Sequence, residues 1–134
     1  DEKLWPCEDV DLDYRLKKKG YSFIFSPKAI VYHYRPQSLK ALLGMMFRYG
    51  KVQGILTRRY GIFRKIQIIS IFLTIWIIAV LINPLWLILS ALFFVYTLFK
   101  MSNLIIGAHV LFLGCLSSIV WILGSILGFL SFEK

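Results

Sequence analysis

The chain has 134 residues, of which 58% are hydrophobic and 17% charged, and it carries a formal net charge of +9. A mean hydropathy of +0.70 excludes an ordinary soluble domain. Fourteen of the sixteen basic residues and six of the seven acidic ones precede Ile66, so that front carries +8 and the remainder only +1. A basic block that ends where a hydrophobic block begins has the form of a membrane-proximal cytoplasmic surface. Nucleic acid is the competing partner for such charge, and it is set aside because no recognition motif accompanies the basic residues. Cys7 and Cys115 offer neither a disulfide framework nor zinc spacing and read as two unpaired thiols. The chain opens on Asp1 with no signal peptide before it, and it reads as the tail of a longer polypeptide.

In chain order, Glu8–Lys19 is predicted to be a short helix. It opens with acids and closes with three lysines, as the helix dipole favours. Asp11 and Arg15 stand four apart and can pair on one face, and Gly20 is the natural stop. Tyr21–Ser26 and Ala29–Tyr34 are rich in aromatic and β-branched residues and are predicted to be two short strands around Pro27. After Pro36, Leu39, Leu42, Leu43, Met46 and Phe47 recur at helical spacing, with Lys40, Arg48 and Lys51 off that stripe. This predicts an amphipathic basic helix lying in a membrane interface.

Three apolar runs follow. Ile66–Ile82 has one strongly polar side chain, Gln67, and is broken by Asn83-Pro84; Leu85–Phe99 ends at Lys100; Leu104–Phe132 is the longest. A bilayer core takes about 20 apolar residues in a helix, so spans are expected at about 66–82, 84–100 and 107–130. Arg58, Arg59, Arg64 and Lys65 crowd the first of them. The positive-inside rule then puts the front in the cytoplasm and, after three crossings, the C-terminus outside. The expectation is a multi-pass integral protein of the plasma membrane, its catalytic part cytoplasmic.

Four carboxylates, Glu8, Asp9, Asp11 and Asp13, crowd one short helix. They read either as dipole-complementing acids or as a site where one carboxyl has a raised pKa suited to proton transfer. His33 alone reads as a packed side chain or a metal ligand. The order of the pieces adds to this. Glu8-Asp9-x-Asp-Leu-x-x-Arg-Leu, Gly20, Pro27-x-Ala29, Val31-x-His33, Arg35 and Arg48-Tyr49-Gly50 together resemble the C-terminal part of the catalytic domain of family 2 glycosyltransferases. These are inverting enzymes of GT-A fold.

The resemblance implies an α+β fragment (residues 1–36), an amphipathic basic interface region (37–65) and an all-α bundle of about three transmembrane helices (66–134). It implies Asp9, beside Glu8, as the base that takes a proton from an acceptor hydroxyl. Arg35, Arg48 and Tyr49 would bind substrate, and His33 would help hold a divalent metal, magnesium or manganese, at the diphosphate. Partners would be a nucleotide-sugar donor, a lipid or glycan acceptor and the membrane. Polymerising relatives carry Gln-x-x-Arg-Trp on the interface helix; here Met45 replaces the glutamine and Tyr49 the tryptophan, which favours transfer of a single sugar. The family's nucleotide-binding half and its Asp-x-Asp motif have no counterpart in these residues, so the chain alone is expected to be inactive. The alternative reading is a catalytically inactive, membrane-anchored assembly or regulatory module.

Overall fold

The computed structural model describes residues 1, 4–34, 36–101 and 103–131. They form five helices: α1 (Glu8–Lys18), α2 (Leu39–Tyr60), α3 (Lys65–Ile82), α4 (Leu85–Lys100) and α5 (Leu104–Leu130). In α1, Glu8, Asp9 and Asp11 occupy the first turn and Arg15, Lys17 and Lys18 the last, so both ends complement the dipole. Gly20 closes the helix at φ 88°. Its N–H donates to the Lys17 carbonyl and that of Tyr21 to the Leu16 carbonyl, a closure that only a left-handed residue permits.

The two expected strands are absent, and with them the α+β fold class: the described residues are helical or irregular, and none is a strand. Residues 21–34 run as an exposed segment in which Ile24, Phe25, Val31, Tyr32 and Tyr34 are each more than 80% exposed. Their composition favours a strand, but an isolated hairpin is marginal without a sheet or helix beneath it. The described residues supply no such surface.

Ser38 caps α2, its Oγ accepting from the Ala41 N–H at 3.2 Å. The helix then has two partners. Val52 and Leu56 pack with Leu4 and Cys7 in a small core, supported by Val10, Tyr49, Ile55, Tyr60 and Phe63. The other flank meets α5 through Gly50 and Gly54 on α2 and Gly124 and Gly128 on α5. A Cβ on Gly54 would sit 2.6 Å from Phe129 N, and one on Gly128 would sit 2.7 Å from the Lys51 carbonyl carbon. The order of contacts shows that the two helices run parallel. Phe47 and Lys51 meet Gly124 and Gly128 in turn, and Arg58 Nη1 reaches the carbonyls of Phe129 (3.3 Å) and Ser131 (2.8 Å).

The apolar helices coincide with the three runs in the sequence. Asn83 Oδ1 accepts from Leu85 N–H at the α3–α4 break, and Asn103 caps α5. Two helices, α3 and α5, are long and apolar enough to cross a membrane; α4, at 16 residues, is shorter.

The path between them differs from an up-down-up bundle. Gln67, in the first turn of α3, donates to Thr57 Oγ1 near the end of α2, where Arg58 holds the end of α5. The end of α2, the start of α3 and the end of α5 therefore converge. An α5 of 27 residues is about 40 Å long at 1.5 Å per residue. It must begin about 40 Å from the start of α3, so α4 joins the far ends of α3 and α5 and does not return to the basic loop. At that far end Trp76 and Trp86 meet edge to face at 5.0 Å, and Trp76 Nε1 donates to Ser90 Oγ.

Candidate active site

The acids of α1 divide into two kinds. Asp11 is 1% exposed and fully partnered: Arg15 Nε donates to Oδ2 at 2.9 Å and Tyr60 OH to Oδ1 at 2.7 Å, with Arg59 Nη1 4.0 Å away. Burial alone would raise its pKa. The hydrogen bonds from Tyr60 and Arg15 and the charges of Arg15 and Arg59 outweigh it and hold the carboxyl below its ordinary range. Burial and the Asp11 carboxylate together push Tyr60 up. The group ties α1 to the end of α2 across 49 residues of chain, and sequence reading missed all of it but the Asp11–Arg15 pair.

Because its folded pKa is depressed, Asp11 contributes stability that is fully present above the ordinary carboxylate value of 3.8 and is lost as pH falls through the lower folded value. Asp11→Ala should cost about 1–3 kcal/mol, the penalty for leaving Tyr60 OH without its acceptor. Arg15 and Arg59 are 50% and 28% exposed and can turn to water, which keeps the cost below that of a fully buried pair. Urea unfolding should show the wild-type advantage at pH 7 and its decline as pH falls below 3.8. A variant as stable as wild type at pH 7 would contradict this.

Asp9 is the second kind. It lies exposed in the first turn of α1, its Oδ1 accepting from the adjacent Val10 N–H at 2.8 Å. The helix is capped by Cys7 without a side-chain hydrogen bond, so Asp9 is no N-cap. It borders an open cleft of about 550 Å³ together with Asp13, Tyr14, Lys17, Lys18, Phe23, Phe63 and Arg64. Asp9 and Asp13 stand along α1 ahead of Lys17 and Lys18, and Arg64 comes from the start of α3. Carboxylates and cations thus share one opening, an arrangement that suits a polyanion beside a proton acceptor. Glu8, its neighbour, is exposed and does not border the cleft. Cys7 lies under the same turn, and burial, with Asp9 adding to it, pushes its thiol up to about 11, so it stays protonated and unreactive.

The remaining expected site residues are not gathered around Asp9. The Arg48 guanidinium stacks on the Trp5 ring at 5.1 Å, and Tyr49 packs against the Leu4–Leu56 core. Neither borders the Asp9 cleft. Arg35 lies outside the described residues. His33 sits in the exposed segment, and among the described residues no three His, Cys, Asp or Glu side chains come together to hold a metal. The described residues by themselves do not form a divalent metal site.

The model of glycosyl transferase family group 2 matches residues 5–131, from the segment ahead of α1 to the end of α5. The chain belongs to the family 2 glycosyltransferases, and glycosyl transfer is the activity this membership assigns. Neither curated proteins nor solved structures gave a match.

Proposed function

We propose that the chain is the acceptor-side and membrane-anchoring part of an inverting glycosyltransferase that moves a sugar from a nucleotide-sugar to a lipid or glycan acceptor. The observation that carries this is the reach of the family match, which takes in the acidic helix α1 and the apolar helices together. Within it Asp9 is the base, open to the cleft, while Lys17, Lys18 and Arg64 face the phosphates of the donor. The test of the catalytic part is removal of the base at Asp9.

The membrane part rests on α3 and α5, which we take as two crossings in opposite senses with α4 joining them on the far side. Trp86, Tyr96 and Lys100 give α4 the aromatic and basic anchors of an interfacial element, with Trp76 of α3 against Trp86 and Lys100 Nζ 5.7 Å from the Tyr96 ring. Lys51 lies on α2 at its contact with α5, so that flank of α5 faces protein. The end of α5 then stays on the side of the basic loop, not opposite it as three crossings would require. In a cysteine-free background, Ser131→Cys should resist a membrane-impermeant maleimide in intact cells, and Asn83→Cys should react. Labelling of position 131 from outside would restore the three-crossing path.

A further inference from the structure

Gln67 is the one strongly polar side chain in the first apolar run, and it is 2% exposed. A buried amide is costly unless its hydrogen bonds are made within the protein. Here both acceptor places and both N–H groups are used. Oε1 accepts from the N–H groups of Phe63 and Arg64 at 2.7 Å each, and Nε2 donates to Thr57 Oγ1 at 2.8 Å and to the Gly61 carbonyl at 3.1 Å. Backbone N–H groups can only donate and the Gly61 carbonyl can only accept, so the amide faces no other way.

An ordinary helix cap needs far less. A glutamine at the third position of a helix accepts from the N-cap N–H, here that of Arg64, and its part in the cap is then complete. Gln67 goes on to Phe63, Gly61 and Thr57, so one side chain ties the start of α3 to the end of α2 and to the loop between them. Gly61 turns that loop at φ 75° and donates its own N–H to the Thr57 carbonyl at 2.9 Å.

The loop carries two residues of the Asp9 cleft, Phe63 and Arg64. The Phe63 ring has a second hold, against Tyr14 of α1 at 4.5 Å and Tyr60 of α2 at 6.2 Å. Arg64 is exposed, and among the described residues no hydrogen bond or ion pair fixes its guanidinium. Its place at the cleft follows from its backbone, and Gln67 meets that backbone twice. Oε1 accepts from the Arg64 N–H, and the Gln67 N–H donates to the Arg64 carbonyl at 3.1 Å.

We propose that Gln67 is a positioning residue for sugar transfer: from inside the apolar helix α3 it fixes the backbone of residues 61–64 and so holds Arg64 where the donor phosphates lie. It touches no substrate itself. This role rests on the reading that Arg64 faces those phosphates.

The test is a double-substitution cycle in membranes containing the active enzyme, with kcat and KM for the nucleotide-sugar measured for Arg64→Ala, Gln67→Leu and the two together. Arg64→Ala keeps the N–H that Gln67 accepts and removes the cation; donor KM should rise about tenfold or more, the loss of one charge-assisted hydrogen bond. Gln67→Leu keeps an apolar side chain in the helix and removes the four amide hydrogen bonds. It should raise donor KM about fivefold or more, with kcat within about twofold of wild type. The double variant should match Arg64→Ala, because a cation already removed cannot be misplaced. A role confined to stability would give less active enzyme, hence a lower apparent kcat, at unchanged KM. That result, or KM increases that multiply in the double variant, would overturn the positioning role and leave Gln67 a helix cap. If thermal unfolding shows that Gln67→Leu does not fold, Gln67→Asn takes its place in the cycle. It keeps an amide but is one methylene too short to reach both N–H groups, and the same outcomes decide. An unchanged donor KM in Arg64→Ala would overturn the placing of Arg64 at the phosphates; a raised KM there with none in the Gln67 variant would overturn the positioning role alone.

Discussion

Asp9→Asn lowers sugar transfer by about 10²–10⁴-fold, the span over which a positioned base accelerates attack by a hydroxyl. An acceptor hydroxyl is a poor nucleophile at neutral pH, and among the acids of α1 only Asp9 and Asp13 border the cleft. Asparagine keeps the shape of the side chain and can still accept from the Val10 N–H, the hydrogen bond Asp9 makes in the folded chain. The usual alternative role for an acid at a helix start, an N-cap, is held here by Cys7. The substitution therefore removes the base and nothing structural. In membranes containing the active enzyme, initial rates with isotope-labelled nucleotide-sugar should fall while donor binding stays within about twofold. Asp13→Asn, one turn further along the same wall, should be mild. Wild-type turnover in a folded Asp9→Asn enzyme would end the role of Asp9 as base and leave α1 a structural helix.

The two kinds of acid in α1 show where the sequence is legible and where it stops. Four carboxylates within six positions read as one cluster, but helical geometry separates them. Asp11 turns inward beneath Tyr60, while Asp9 and Asp13 face the cleft. Nothing local in the sequence says which one is buried, because the deciding partner lies 49 residues away. Gly20, the α1 boundaries, the Asn83-Pro84 break and the three apolar helices were all readable, since each depends on local chemistry. The strands were not, because β-propensity records fitness for a pleated surface and the surface itself is missing among the described residues. His33 and Arg48 were expected at one site with Asp9, yet Arg48 stacks on Trp5 and His33 remains in an exposed segment.

One signal was present and went unread. Gly50-x-x-x-Gly54 and Gly124-x-x-x-Gly128 share the spacing that lets two helix backbones approach closely. It points to a close contact between α2 and α5; the order of contacts in the structure then makes them parallel and brings the end of α5 back to the basic loop. The stripe of Leu42, Leu43, Met46 and Phe47, read instead as a membrane-interface face, is only partly buried, and the tightest contact lies one to two turns beyond it.

That contact supplies the second large effect. Gly128→Ala should destabilise the chain by more than the roughly 1–3 kcal/mol of an ordinary overpacked core position. Its added methyl would press on the Lys51 carbonyl and lie 3.0 Å from Lys51 Cα, and both are backbone atoms that cannot rotate away. Gly54→Ala meets the Ser125 carbonyl and Phe129 N in the same manner. Gly114 is the control on the same helix as Gly128: a Cβ there has nothing within 4 Å. Alanine at that site gains the helix-propensity difference, up to about 1 kcal/mol, with no clash against it. The same chemical change on one helix should thus have opposite signs. Thermal unfolding in a single detergent should place Gly114→Ala at or above wild type, and Gly128→Ala and Gly54→Ala well below. If all three alanine variants unfold together near wild type, α2 and α5 do not meet through these glycines, and the return of the α5 end to the basic loop falls with them.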